Sequence, residues 1–104
     1  MIRTPDNRIT TPPGEVLKEE FLVPLGLSAN RLAQAIGVPA NRVTAILHGT
    51  RNITPDTALR LARFFGTTPE FWMNLQASHD LSKAKAELAD DIKRAVRPMK
   101  RTAA

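Results

Sequence analysis

The chain has 104 residues, enough for one small domain with its own core and too few for two. Apolar residues make up 42%, which predicts a folded chain, and the net charge of +5 favours a polyanionic partner. Cysteine is absent, which excludes a disulfide framework, a zinc–thiolate site and a thiol nucleophile, and suits a reducing compartment.

Residues 1–11 are polar, carry Pro5 and show no periodicity, so they predict an extended or mobile arm. They hold no apolar h-region, so they do not read as a signal peptide. No apolar run approaches the roughly 18 residues of a membrane span. The expectation is a cytoplasmic protein without membrane contact.

Pro12-Pro13-Gly14-Glu15 opens a first helix, with proline where a missing N–H costs nothing and an acid at the positive helix end. Val16, Leu17, Phe21 and Leu22 form its apolar side, and Pro24 and Gly26 are expected to stop it. Ser28 is a good N-cap for a second helix. There Ala29, Leu32, Ala33 and Ile36 follow the helical period, and Gly37 supplies a left-handed end. Pro39 starts a third helix, with Val43, Ile46 and Leu47 turned inward and Gly49 closing it. Thr54-Pro55-Asp56 repeats the start signal for a fourth, carrying Ala58, Leu61, Ala62 and Phe65 and ending at Gly66. Thr68-Pro69-Glu70 begins a fifth, whose apolar face is Phe71, Trp72, Leu75 and Leu81.

From residue 81 on, Leu81, Ala84, Leu88, Ile92 and Val96 recur every three or four positions until Pro98. Two readings of this stripe are open: it packs back on its own domain, or it pairs with the same helix of a second subunit. Residues 99–104 predict a frayed basic tail. No strand-like alternation occurs, so the fold class is all-α with short connections. The division is an arm (1–11), a helical domain (12–77), a C-terminal helix (78–98) and a tail (99–104).

Two short helices meeting at Gly37 have the layout of a helix-turn-helix, a device that lays its second helix in the DNA major groove. With Val43, Ile46 and Leu47 inward, the third helix presents Ala40, Asn41, Arg42, Thr44, Ala45 and His48. Asn41 can pair bidentately with adenine, and threonine or alanine methyls can touch a thymine methyl. Arg42 can reach a phosphate or a guanine. Ser28, Asn30 and Arg31, at the start of the second helix, are placed to hold a phosphate through backbone N–H groups and the helix dipole. Arg51 and Asn52 follow the third helix and can touch the DNA backbone again.

Competing chemistry is thin. His48 and His79 lie far apart with no ligand spacing, so no metal is expected; His48 fits a dipole-stabilising or phosphate role. Asp90 and Asp91 are adjacent, point in different directions and cannot act as an acid–base pair. Trp72 reads as core, with a partner groove as the alternative. No set of nucleophile, base and orienter exists, so no catalytic residue, enzyme activity or cofactor is expected.

The segments PPGEVLKEEFLVPLGLS and NRLAQAIGVPANRVTAILHGTRNITPDTALRLARFFGTTPEFWMNLQ together resemble the HigA-type antitoxins, within the XRE/Cro class. The likeness spans about residues 12–82. It implies a five-helix helix-turn-helix domain with a C-terminal helical extension and a homodimer formed mainly through that extension; the stripe read above then puts Leu81, Ala84, Leu88 and Ile92 at the interface. It also implies a double-stranded palindromic operator and a small basic toxin, HigB, an mRNA endonuclease that the antitoxin neutralises while repressing the shared operon. By the resemblance Ala40, Asn41, Thr44 and Ala45 match base-facing positions, and Ser28, Arg42, Arg51 and Asn52 match phosphate-facing ones. Many XRE proteins carry glutamine where this chain has Ala29 and Ala40, so fewer strong base contacts are expected and more weight falls on DNA shape. A stand-alone regulator without a toxin, and an interaction module that has lost DNA binding, remain as alternatives.

Overall fold

Local capping chemistry sets where the helices start and stop. The computed structural model describes residues 10–100, and among these it contains five helices and no strand. They are α1 (13–25), α2 (Ala29–Ile36), α3 (Ala40–Leu47), α4 (Pro55–Phe65) and α5 (Pro69–Ala95). The all-α expectation therefore holds. Most of the expected arm (1–9) and tail (101–104) lies outside the described residues.

Helix α1 is composite: Pro13–Val16 and Val23–Leu25 are α-helical and Leu17–Leu22 between them is π-wound. This corrects the expectation that Pro24 stops the helix. Proline lacks an N–H and its ring presses on the carbonyl four residues back. In the wider winding the Val23 N–H reaches the Lys18 carbonyl five residues back, so the ladder ahead of Pro24 already departs from the four-residue pattern. Gly26, the other expected stop, does end α1, at a φ of 62°, with the Leu27 N–H returned to the Leu22 carbonyl at 2.9 Å. The same closure ends α2, where Gly37 has a φ of 73° and the Val38 N–H meets the Ala33 carbonyl at 3.0 Å.

Side-chain caps complete two of the starts. Ser28 Oγ accepts the Arg31 N–H at 3.1 Å, and Thr68 Oγ1 accepts the Phe71 N–H at 3.1 Å. Thr54, expected to act alike, makes no such cap bond; its hydroxyl lies 3.4 Å from that of Thr57.

The core joins all five helices through Leu17, Leu22, Leu32, Ala33, Ile36, Val43, Ile46, Ala58, Leu61, Ala62 and Trp72, together with Ile53 from the loop after α3. Leu47 is only half-buried against it. Trp72 is fully buried, which settles it as core, and its Nε1–H donates to Thr67 Oγ1 at 2.8 Å. Phe21 lies over it with ring centroids 5.0 Å apart and touches Phe65 at 4.8 Å. Phe71, expected inward, is partly exposed but still packs edge-on against Trp72 at 4.9 Å.

The stretch read as two elements, before and after residue 78, is one helix of 27 residues. No glycine or proline interrupts it between Pro69 and its end, and Pro98 follows two residues after the extended Val96. At 1.5 Å per residue α5 is about 40 Å long. Its first turns pack on α4 and α1, whereas Leu81, Leu88, Ile92 and Val96 are exposed. Asp91 pairs with Arg94 on this outer part. Where the arm meets the domain it is anchored: the Thr10 N–H donates to Ser82 Oγ at 3.0 Å, and the Thr10 carbonyl lies 2.9 Å from His79 Nδ1. Among the described residues no helix is long and apolar enough to cross a membrane.

Candidate nucleic-acid interface

Helix α3 buries Val43 and Ile46 and turns Ala40, Asn41 and His48 to solvent, with Thr44 and Ala45 half-buried beside them. The Thr44 hydroxyl is engaged by its own helix, 3.2 Å from the Ala40 carbonyl and 3.3 Å from that of Asn41. That leaves its methyl as the group free for outside contact. Asn41 is thus the outward amide of this surface, flanked by the small side chains of Ala40, Thr44 and Ala45.

Three supports fix α3. At its C-terminal end α1 approaches so closely that a Cβ on Gly14 would overlap the Ile46 carbonyl oxygen and lie 3.0 Å from Leu47 Cα. At its N-terminal end Arg42 Nη1 donates to Asp56 Oδ2 at 2.7 Å. Beyond it, the loop carrying Arg51 and Asn52 is held by Ile53, whose side chain is buried and whose N–H donates to Gln76 Oε1 at 2.8 Å. Gln76 in turn donates to Asp80 Oδ1 at 2.9 Å. An unpaired buried N–H would cost about 1–3 kcal/mol, so this contact decides where the loop sits.

Most of the expected phosphate-facing residues are exposed: Asn30 and Arg31 at the start of α2, and Arg51 and Asn52 in the loop. Ser28 is exposed too, with its hydroxyl committed to the cap. Arg51 and Asn52 border a small cleft of about 80 Å³ with Pro12, His79 and Lys83. His48 opens on a different cleft, lined by Glu15, Lys18 and Glu19 of α1. Arg42 is held differently from these: its guanidinium pairs with Asp56, whose side chain is 56% exposed, and its Nε is buried without a partner.

Asp56 is the centre of this arrangement. Besides Arg42 it accepts Arg60 Nε at 3.1 Å, and Arg60 Nη1 donates to the Ile36 carbonyl at 2.8 Å and the Gly37 carbonyl at 3.3 Å. Hydrogen bonds from Arg60 and then Arg42 hold its carboxyl below its ordinary pKa. One carboxylate therefore ties the start of α3 to α4, and its partner Arg60 caps the end of α2. Sequence reasoning placed Asp56 only as a helix-start acid and missed Gln76. The signal for Gln76 was its position one turn after Trp72, a polar residue on the buried face. Among the described residues no cluster of three or more His, Asp and Glu side chains could hold a metal.

The helix-turn-helix family profile matches residues 17–72. The chain is 48% identical over 75 residues to virulence-associated protein I of Dichelobacter nodosus, covering 72% of this chain and 69% of that one. It is 40% identical over 80 residues to antitoxin HigA-1 of Vibrio cholerae, covering 77% and 75%. Among solved structures, a HigA-family antidote protein of Coxiella burnetii superposes with a TM-score of 0.83 at 51% identity, covering 88% of this chain and 100% of the other. Pseudomonas aeruginosa antitoxin HigA, solved with the higBA promoter, superposes with a TM-score of 0.83 at 39% identity, covering 86% and 98%. The chain belongs to the XRE-type helix-turn-helix family of DNA-binding proteins, in the group that contains the HigA antitoxins.

Proposed function

We propose that this protein is a dimeric antitoxin and autorepressor, which binds a palindromic operator through α3 and neutralises a small basic toxin. One observation carries the DNA half of this reading. Asn41, Ala40, Thr44 and Ala45 form an outward surface on a firmly supported helix, in a fold shared with a HigA solved on promoter DNA. In this reading Ala40, Asn41, Thr44 and Ala45 face bases. Ser28, Asn30, Arg31, His48, Arg51 and Asn52 face phosphates, by side chain or backbone. Arg42 needs release from Asp56 to join them. The protein is non-catalytic and works in the cytoplasm.

Dimerisation is assigned to the outer part of α5. Leu81, Leu88 and Ile92 are exposed there, with Ala84 half-buried between them, an apolar stripe that a second copy would cover. Two-fold pairing would present two α3 helices to two half-sites.

Gel-shift titration against the duplex upstream of its own gene tests the DNA claim. Log affinity is expected to fall linearly with log salt, by about 0.9 for each phosphate contacted. Binding without salt dependence would overturn it. Co-expression with the neighbouring small basic reading frame tests the toxin half, with restored growth as the expected result. The second reading, a regulator without a toxin, draws on the 46% identity over 74 residues to YbaQ, an uncharacterised HTH-type transcriptional regulator of Escherichia coli. Absence of any toxic neighbouring gene would favour it.

A further inference from the structure

We propose that Asp56 is a positioning residue for DNA recognition: it folds Arg42 down against the domain and withholds that charge from the phosphate backbone, leaving Asn41 and its small neighbours to set how α3 seats in the groove. The inference rests on the DNA-binding reading above.

Arg42 occupies the first turn of α3, next to Asn41, where an extended guanidinium could reach the DNA backbone. It is instead bent toward α4, with Nη1 2.7 Å from Asp56 Oδ2 and only 23% of its side chain exposed. That posture is not favourable in itself. The Arg42 Nε is buried with no hydrogen-bond partner, an arrangement that desolvates a donor for nothing in return. The Asp56 contact is what offsets it. Removing the carboxylate therefore favours release of the arginine to solvent, where its Nε regains water. Asp56 itself is held in place from the far side by Arg60, which also anchors the turn through the Ile36 and Gly37 carbonyls. The carboxylate thus has a fixed backing and the arginine is the movable partner.

A released Arg42 would add an unspecific phosphate contact beside the only outward amide of the α3 surface. Affinity for any duplex would rise, and the margin between the operator and other DNA would narrow.

The test compares binding of two duplexes across a salt series: the promoter region of the protein's own gene and a scrambled duplex of equal length. Asp56→Asn is expected to steepen the slope of log affinity against log salt by about 0.9, the value for one added phosphate. It should tighten binding to the scrambled duplex and reduce the ratio between the two. The added slope should vanish in Asp56→Asn/Arg42→Gln and be absent in Asp56→Glu, which restores a carboxylate. Glu20→Gln, an exposed change of the same charge on α1, should not produce it. Asp56→Ser serves as a second removal variant if the asparagine variant does not fold. A merely structural Asp56 predicts weaker binding to both duplexes with the slope unchanged, and that result overturns the proposal; a lower melting temperature is expected either way. If the wild type itself binds without salt dependence, the DNA-binding reading falls with it; a salt-dependent wild type with an unaltered Asp56→Asn slope sinks the positioning role alone.

Discussion

Gln76 on α5 accepts the buried backbone N–H of Ile53, 23 residues earlier, at 2.8 Å. Ile53 closes the loop that displays Arg51 and Asn52, so a helix remote from the recognition helix governs how that loop is held. Gln76→Leu keeps the volume but leaves the Ile53 N–H without an acceptor. The expected cost is about 1–3 kcal/mol. For a domain of this size each kcal/mol lowers the melting temperature by about 4–8 °C. Thermal unfolding checks the loss, and amide exchange at Ile53 should accelerate. An unchanged melting temperature would show that the bond contributes nothing net.

Trp72 is the sole tryptophan and is fully buried, which makes its fluorescence a direct report on the core. Trp72→Ala is expected to cost about 3–5 kcal/mol, enough to threaten folding of a small domain. Trp72→Phe retains the ring against Phe21 but drops the Nε1 bond to Thr67, with an expected cost nearer 1 kcal/mol from that bond. Denaturant unfolding followed by far-UV dichroism separates the two. Equal losses would mean that the hydrogen bond, not the packing, dominates.

Asp56 gives the domain an acid-sensitive contact. Its carboxyl titrates below the ordinary value because Arg60 and Arg42 stabilise the anion. The folded state therefore holds the charged form more strongly than the unfolded chain does. That stabilisation is fully present above the unfolded carboxylate range, near pH 4, and disappears as pH falls through the depressed value. Melting temperatures of wild type and Asp56→Asn should differ at pH 7, begin to converge as pH falls below about 4, and meet only beneath the depressed value. A difference that persists unchanged into strong acid would contradict the ion-pair account.

Asn41 and Thr44 should carry most of the base readout. Asn41→Ala together with Thr44→Ala is expected to remove preference for the operator over scrambled DNA, while dichroism and oligomeric state stay as in wild type. Competition gel shifts measure this. If the double variant still selects its operator, α3 is not the reading helix.

The helix starts were legible because they are local events. Ser28, Pro55, Thr68 and Pro69 act within one turn of chain, and Gly37 and Gly66 end helices through their own backbone freedom. Pro24 misled because a local rule was applied to a stretch whose winding had already widened. The Arg42 pairing was illegible for another reason: its partner Asp56 lies 14 residues on, in a different helix, and only the packed geometry brings them together. Gln76 and His79 likewise gain their roles from backbone groups 23 and 69 residues away, which no short-range pattern encodes. Exposure of Asn41 was legible because burial of Val43 and Ile46 leaves it no other face.

Helix α5 runs without a break from Trp72 in the core to Ile92 on its exposed end. In the proposed dimer this makes the pairing surface and the DNA-reading body parts of a single rigid strut. No hinge is then available to adjust the distance or angle between the two reading heads. Operator spacing becomes a fixed gauge: one base pair inserted between half-sites would shift the second by about 3.4 Å and about a tenth of a turn, a misfit the protein could not absorb and the DNA would have to take up by bending or twisting.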